Sequence, residues 1–405
     1  MNKWLPLLLS LLLSLPGPIL RLLDIHPSAP VMALASGAAI LAASFLLLWA
    51  CDVAQMDIPQ SLALAVVAFI AVLPEYAVDM YFTWMAGQHP GSSYSHYAIA
   101  NMTGANRLLI GVAWAAVAGI FWLRTRNRVT LPEERRTEVL FLGLATAYAI
   151  LVPFKGSLAW YDGIVLVGIY AWYIRLAGKR PCEECELHGI ADLIGGLPAN
   201  RRRAVTIAMF LFAAGVILAC AEPFSESLVA SGKILGVDEF LLVQWLAPIA
   251  SEAPEFIVAI MFVLRGDAAT ALGSLLSAKL NQWTLLVGMI PGVYAASSGG
   301  LAPIPLDHFQ MQEVLLTAAQ SLLAVALLAG LTLGPRAAAV LFVLFVGQLL
   351  SPLFLAGTDI GIPPSQAHPF FSALYLASFT VVALYRRRDI LELRRGFSAS
   401  PFGSS

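Results

Sequence analysis

Charge is what this chain has least of. Only 12% of its 405 residues are Asp, Glu, Lys or Arg, while 59% are hydrophobic; an ordinary soluble domain carries about 25% charged and about 45–50% apolar residues. That deficit excludes an ordinary soluble domain and leaves a polytopic membrane protein. The 24 Lys and Arg nearly balance the 25 Asp and Glu, for a formal net charge of -1, so no basic excess points to a nucleic-acid partner. Cysteine is also scarce. Cys51 and Cys220 fall in apolar segments and Cys182 and Cys185 in a charged loop, which is no framework of secreted disulfides. Neither G-x-S-x-G nor H-E-x-x-H occurs, so the usual hydrolase signatures are missing and no enzyme is expected.

What is abundant is apolar runs. About 20 apolar residues cross the hydrocarbon of a bilayer, and on that criterion twelve spans fit the sequence. Six run roughly over 5–23, 31–50, 60–86, 97–122, 138–154 and 159–177, and six over 205–231, 237–264, 268–294, 312–333, 335–356 and 368–385. The expected fold class is therefore an all-α polytopic membrane protein. MNKWLPLLLSLLLSLPGPIL has the positive start and apolar core of a signal peptide, but no A-x-A-like site directly follows, and residues 1–30 are expected to hold a retained helix. Residues 178–204 form the long charged loop between the halves and read as a cytoplasmic linker; 357–405 read as one more span and a flexible tail.

Lys and Arg set the orientation. With the N-terminus inside, Arg124, Arg126, Arg128, Arg135, Arg136, Lys179, Arg180, Arg201–Arg203, Arg265, Arg336 and Arg386–Arg388 are cytoplasmic, and only Arg21, Lys155 and Lys233 fall outside. The expected place is the plasma (inner) membrane, with both termini cytoplasmic and the lipid bilayer as surroundings.

One stretch organises the rest: APIASEAPEFIVAIMFVLRGDAATALGSLLSAKLNQWTLLVG, Ala247 to Gly288, which sets Glu252 and Glu255 around Pro254 in an apolar run. Ionisable groups at membrane depth are costly and mark ion paths or pairs. The same order of events recurs at Ala71 to Gly111, with Pro74-Glu75, an apolar helix, a break, and the small residues Gly104, Ala105 and Asn106 beside a basic residue. On the expected topology the two segments point opposite ways. That is the trace of inverted-topology repeats, here 31–177 and 205–356, each of about five helices with extra terminal helices; in such transporters the substrate site lies at the repeat interface.

At these residues the chain resembles the sodium/calcium exchanger family of the calcium/cation antiporter superfamily. LAPIASEAPE with RGDAATALGSLLSAKLNQW resembles the family pattern in which G-[ST]-S-x-P-E ends one half-helix and G-N-x-x-G-S-N-x-x-[ND] opens the next; IPQSLALAVVAFIAVLPE and AIANMTGANRLLIG match in the first repeat. The resemblance implies Glu75 and Glu255 facing each other as central cation ligands. It implies a secondary active cation antiporter, of the cation/H+ or Na+/Ca2+ type, working by alternating access on inorganic cations (Ca2+, Na+ or H+) with no other cofactor. The rest of the family's ligand set is altered. Ala71 and Val72 stand where the family has Thr and Ser, Glu252 replaces a serine beside a kept Ser251, Ala105 and Ala278 replace the serine of G-S-N, Asn106 is kept, Lys279 replaces its counterpart, and Leu109 and Gln282 fill the last polar position. These replacements suggest the alternative reading, a non-transporting membrane sensor or scaffold on the same fold.

Hard cations need shells of oxygen donors. Pro74 and Pro254 supply some by acting as helix breaks, because proline frees the carbonyl four residues earlier. Asp79 lies one turn after Glu75 and either extends the site or pairs with a basic residue elsewhere. Glu252 lies three residues before Glu255, on the same side. Arg107 and Lys279 sit in segments expected to face the cavity and act either as internal cations replacing bound Na+, leaving H+ as a coupling ion, or as residues facing headgroups or a neighbouring helix. Glu75, Asp79, Glu252 and Glu255 against Arg107 and Lys279 leave a formal -2. The linker's Cys182, Cys185 and His188 form C-x-x-C-x-x-H, which is half a zinc site, a redox pair or an ordinary solvated loop. Glu222, Pro223 and Glu226 line either an external entrance or a wet helix end, and His89 and His96, in the loop GQHPGSSYSH expected outside, read as surface histidines rather than sensors.

Overall fold

The structure is a computed structural model, and it describes residues 3–58, 72–178, 187–236, 238–355 and 367–397. Its elements in chain order begin with helices α1 (Leu5–Leu13), α2 (Pro16–Leu22), α3 (Ala29–Ala54), α4 (Leu73–Gln88), α5 (Tyr94–Leu108) and α6 (Ala115–Thr125). Then come α7 (Arg136–Ala149), α8 (Leu151–Lys155), α9 (Trp160–Ala177), α10 (Ile190–Gly195), α11 (Ala199–Leu235) and α12 (Glu239–Arg265). The chain continues through α13 (Ala268–Asn281), α14 (Val287–Ser298), α15 (His308–Leu328), α16 (Pro335–Leu355), α17 (Ala367–Tyr385) and α18 (Arg387–Glu392). Four two-residue strands, β1 (Val129–Thr130), β2 (Ser157–Leu158), β3 (Ile304–Pro305) and β4 (Thr332–Leu333), pair antiparallel as β1–β4 and β2–β3.

Among the described residues eight segments are long and apolar enough to cross a membrane: Leu5–Leu22, Ala29–Ala54, Tyr94–Thr125, Glu133–Lys155, Ala199–Leu235, Glu239–Arg265, His308–Leu328 and Ala367–Tyr385. The other four expected spans hold α4, α9, the α13–α14 run and α16. Leu12, Leu34, Leu211, Val343 and Val381 stand exposed on these helices, the apolar surface that lipid covers. The chain is a multi-pass membrane protein, and its few polar side chains inside these helices are mostly buried in protein.

The chain divides into two compact units: Met1–Asn101 with Ala177–Pro254, and Met102–Leu176 with Glu255–Ser405. Each takes residues from both halves of the sequence. In the first unit α3 packs along α11, and Ile40, Leu47, Phe82, Ile217 and Phe224 share one core. Small residues allow that approach: a Cβ on Gly37 would meet the Phe224 ring at 2.9 Å. On the loop side Asp57 takes both guanidinium arms of Arg202 at 2.8 Å and Arg203 at 2.9 Å.

In the second unit α15 is the most enclosed helix and packs against α7 and α17. Its start is fixed by a capping box in which Asp307 accepts from the Gln310 backbone N–H at 2.7 Å and Gln310 Oε1 accepts from the Asp307 N–H at 2.8 Å. Helices α9 and α14 cross closely through Gly163 and Gly288; a Cβ on Gly163 would collide with the Gly288 carbonyl oxygen.

Candidate ion-binding site

In the first unit Pro74 occupies the first turn of α4, where its missing N–H costs nothing. Glu75 follows in the same turn, a place where the helix dipole favours a carboxylate. Glu75 and Asp79, one turn apart, are 1% and 0% exposed. Asn101 on α5 donates from Nδ2 to Asp79 Oδ1 at 3.3 Å. Asp79 Oδ2 and Asn101 Oδ1 are buried with no hydrogen-bond partner among the described residues. Two acceptor oxygens left so at depth call for a proton or a cation.

Ser251 and Glu252 are both buried on α12. The Ser251 hydroxyl donates to the carbonyls of Ala247 and Pro248, both at 3.3 Å, so its lone pairs remain available. The expected break at Pro254 takes a different form. Helix α12 runs from Glu239 to Arg265 with Pro248 and Pro254 inside it; the prolines end nothing, but they deprive the Gln244 and Ala250 carbonyls of their intrahelical donors. Glu255, the next residue, is half-buried.

In the second unit the small-residue segments end α5 and α13, and each runs directly into a π-helical turn, Leu109–Trp114 after the first and Gln282–Leu286 after the second. The two turns begin at Leu109 and Gln282, the matching last positions of the repeated motif, so the repeat is written in the backbone as well as in the sequence. Such turns are rare and concentrate at functional sites. Gln282 is fully buried.

Lys279 is 0% exposed. Its Nζ donates to Asn106 Oδ1 at 2.6 Å and to the Asn106 carbonyl at 3.2 Å, and lies 4.5 Å from the centroid of the Trp283 ring, where the aromatic face attracts a cation. Asn106 is held in turn, its Nδ2 donating to the Met102 carbonyl at 2.8 Å. Arg107, 1% exposed, turns to a neighbouring helix: its Nη2 pairs with Glu313 Oε2 on α15, and its Nε donates to the Thr103 carbonyl at 3.3 Å. Thr103 Oγ1 also donates to Glu313 Oε2 at 3.3 Å, and His368 Nε2 on α17 lies 2.5 Å from Glu313 Oε1.

Glu313, His368 and Asn101 are the residues that sequence reasoning passed over. Glu313 had a signal, an acid inside an apolar span, but it lies near the start of 312–333 and reads there as a helix end facing water. Cys182 and Cys185 lie outside the described residues, and His188 is exposed. Of the entrance residues, Glu222 pairs with Arg21 at 2.6 Å, and Glu226 Oε1 accepts from the hydroxyls of Tyr81 and Tyr94, both at 2.7 Å.

The family profile described as sodium/calcium exchanger protein matches residues 28–178 and 205–354. Among solved structures, the H+/Ca2+ exchanger CAX is 44% identical over 98% of each chain, with a TM-score of 0.91. The sodium-calcium exchanger NCX_Mj, at 16% identity over 80% of this chain and 98% of its own, shares the fold with a TM-score of 0.53. No curated protein matches the chain. With both halves matched and a full-length relative of this similarity, the chain belongs to the sodium/calcium exchanger family.

Proposed function

We propose that this cation antiporter exchanges Ca2+ for H+ by alternating access, opening its ion site to one side of the membrane and then to the other. Glu75 and Glu255 are its cation-binding carboxylates, with Asp79, Glu252, Ser251 and Gln282 as further oxygen donors in or beside the path, while the Asn106 oxygens hold the internal cation Lys279. Because Ca2+ takes about 6 to 8 oxygen ligands, the Ala250 carbonyl, which Pro254 deprives of its intrahelical donor, belongs in the same shell.

The observation that carries H+ over Na+ is the Lys279 ammonium 2.6 Å from Asn106 Oδ1. A fixed internal cation occupies an oxygen that a bound Na+ would use, and it carries its charge without being transported. Val72 offers no hydroxyl where the family has one. Carboxylates grouped at depth share protons readily, and the full-length relative at 44% identity is an H+/Ca2+ exchanger. The protein works in the plasma (inner) membrane with both termini cytoplasmic.

The test is Ca2+ uptake into vesicles reconstituted with the full chain, driven by an imposed pH gradient or by an imposed Na+ gradient. Uptake should follow the pH gradient. Uptake that needs Na+ and ignores pH would overturn the proposal, and absence of any cation flux would favour the sensor or scaffold reading.

A further inference from the structure

The cluster around Glu313 has no part in the ligand set above, yet Glu313 and Arg107 are buried charges in the second unit, 0% and 1% exposed. Glu313 receives two donors at Oε2, Arg107 and Thr103 from α5, while His368 Nε2 from α17 lies 2.5 Å from its Oε1. Gln320, two turns further along α15, donates to the Arg107 carbonyl at 3.4 Å. Helix α15 therefore grips the last turn of α5 at both a side chain and a backbone group. The residue before Arg107 is Asn106, whose side chain holds Lys279.

His368 is the exposed end of this chain of contacts. Its imidazole is 19% exposed and lies edge-on to Phe309, with ring centroids 5.0 Å apart at 80°. Phe309 precedes Glu313 by one turn on α15, so ring and carboxylate together fix the imidazole. Helix α17 lies beyond the residues matched by the family profile, so it adds this contact from outside the repeat core.

We propose that Glu313 and His368 are positioning residues of the ion site: they hold Arg107 and the turn that carries Asn106, and proton uptake by His368 weakens Ca2+ binding. With His368 neutral, Arg107 and Glu313 form a balanced pair. With His368 charged, two cations share one buried carboxylate, the cluster gains a positive charge, and Arg107 is held less firmly. In a poorly screened interior that charge disfavours a divalent cation nearby, and histidine is the side chain whose charge changes between about pH 5 and 8.

Of the charged groups on the neighbouring elements, Lys155 of α8, which packs against α15, pairs with Asp162 of α9. On α15, Asp307 is engaged in its capping box, and His308 Nδ1 lies 3.0 Å from Gln312 Nε2. Tyr375 on α17 is buried. Arg386 at the far end of α17 donates to the Leu327 carbonyl at the far end of α15 at 2.7 Å. That end, together with Arg336 of α16 and the charges of α18, is therefore several helical turns from His368.

The inference rests on the Ca2+ reading above, and the experiment separates the two. Ca2+ binding to the purified full-length protein is measured by calorimetry at pH 7.5 and 6.0 for the parent and for His368→Gln, whose amide donates a neutral hydrogen bond. The parent should lose affinity on acidification, and the ratio between the two pH values should shrink about tenfold in the variant, the equivalent of one unit of linkage. Thermal unfolding at pH 7.5 should change little, which a merely structural contact would not predict. An identical pH ratio in parent and variant overturns this inference alone; a parent that binds no Ca2+ overturns the exchange reading and this one together. His368→Phe, which cannot donate, provides the second variant and should lose the same pH step.

Discussion

Lys279 Nζ lies 2.6 Å from Asn106 Oδ1, and both residues are fully buried. The two hold corresponding places in the two repeats, so one repeat supplies the oxygen and the other the cation. Lys279→Asn removes the charge and gives both repeats the same residue. In vesicle assays Na+ should then compete with Ca2+ uptake, and in the parent it should not. Lys279→Met leaves the Asn106 oxygen without its donor and should cost about 1–3 kcal/mol of stability, read as a lowered unfolding midpoint in detergent.

Glu75→Gln and Glu255→Gln should each bring pH-driven Ca2+ uptake to the background of empty vesicles while the protein still inserts and purifies as the parent does. An amide keeps the shape and loses the charge that a divalent cation requires. Parental uptake by both variants would remove the glutamates from the centre of the mechanism.

Asp57 gives the chain a pH-dependent fastening outside the membrane. Its hydrogen bond from Arg202 holds the carboxyl well below the usual carboxylate range, partial burial works against this, and Arg203 adds to it. A depressed folded-state pKa contributes stability that is complete above the ordinary aspartate value of about 3.9 and is lost as pH falls through and below it. The unfolding midpoint of the parent should therefore drop on acidification below about pH 4, and Asp57→Asn should start lower at neutral pH and lose less over the same range.

Gly163→Ala should destabilise the second unit. The added methyl would collide with the Gly288 carbonyl oxygen and sit 3.2 Å from Pro291 Cγ, and a backbone oxygen cannot swing aside. Overpacking of this kind costs about 1–3 kcal/mol, to be read from thermal unfolding. Gly119→Ala, where a Cβ meets nothing within 4 Å, is the control.

Much of this was legible in the sequence because membrane helices follow a composition rule that tertiary context seldom overrides. Each expected span holds a helix, and Glu75 and Glu252 are buried as acids inside apolar runs should be. What stayed hidden depends on distance in the fold. Arg107 was readable as a cation needing an anion, but its partner Glu313 lies 206 residues on. Pro254 was readable as a lost hydrogen bond; that α12 would continue through it depends on neighbours no local pattern specifies. The division into two units, each drawn from both halves, has no local signature at all.

The two π-helical turns carry a consequence for how such a helix can vary. A π turn holds one residue more than the α-helical turn it replaces, and one residue in an α-helix corresponds to about 100° of rotation. The segments before and after Leu109 and Gln282 are thus phased independently within one continuous rod: α5 and α13 aim Asn106 and Lys279, while α6 and α14 aim their own packing faces. Deleting a single residue within either turn should restore the common phase and swing one face away from its partners. The extra residue lets the half of each helix that carries Asn106 or Lys279 change without re-aiming the half that follows the turn.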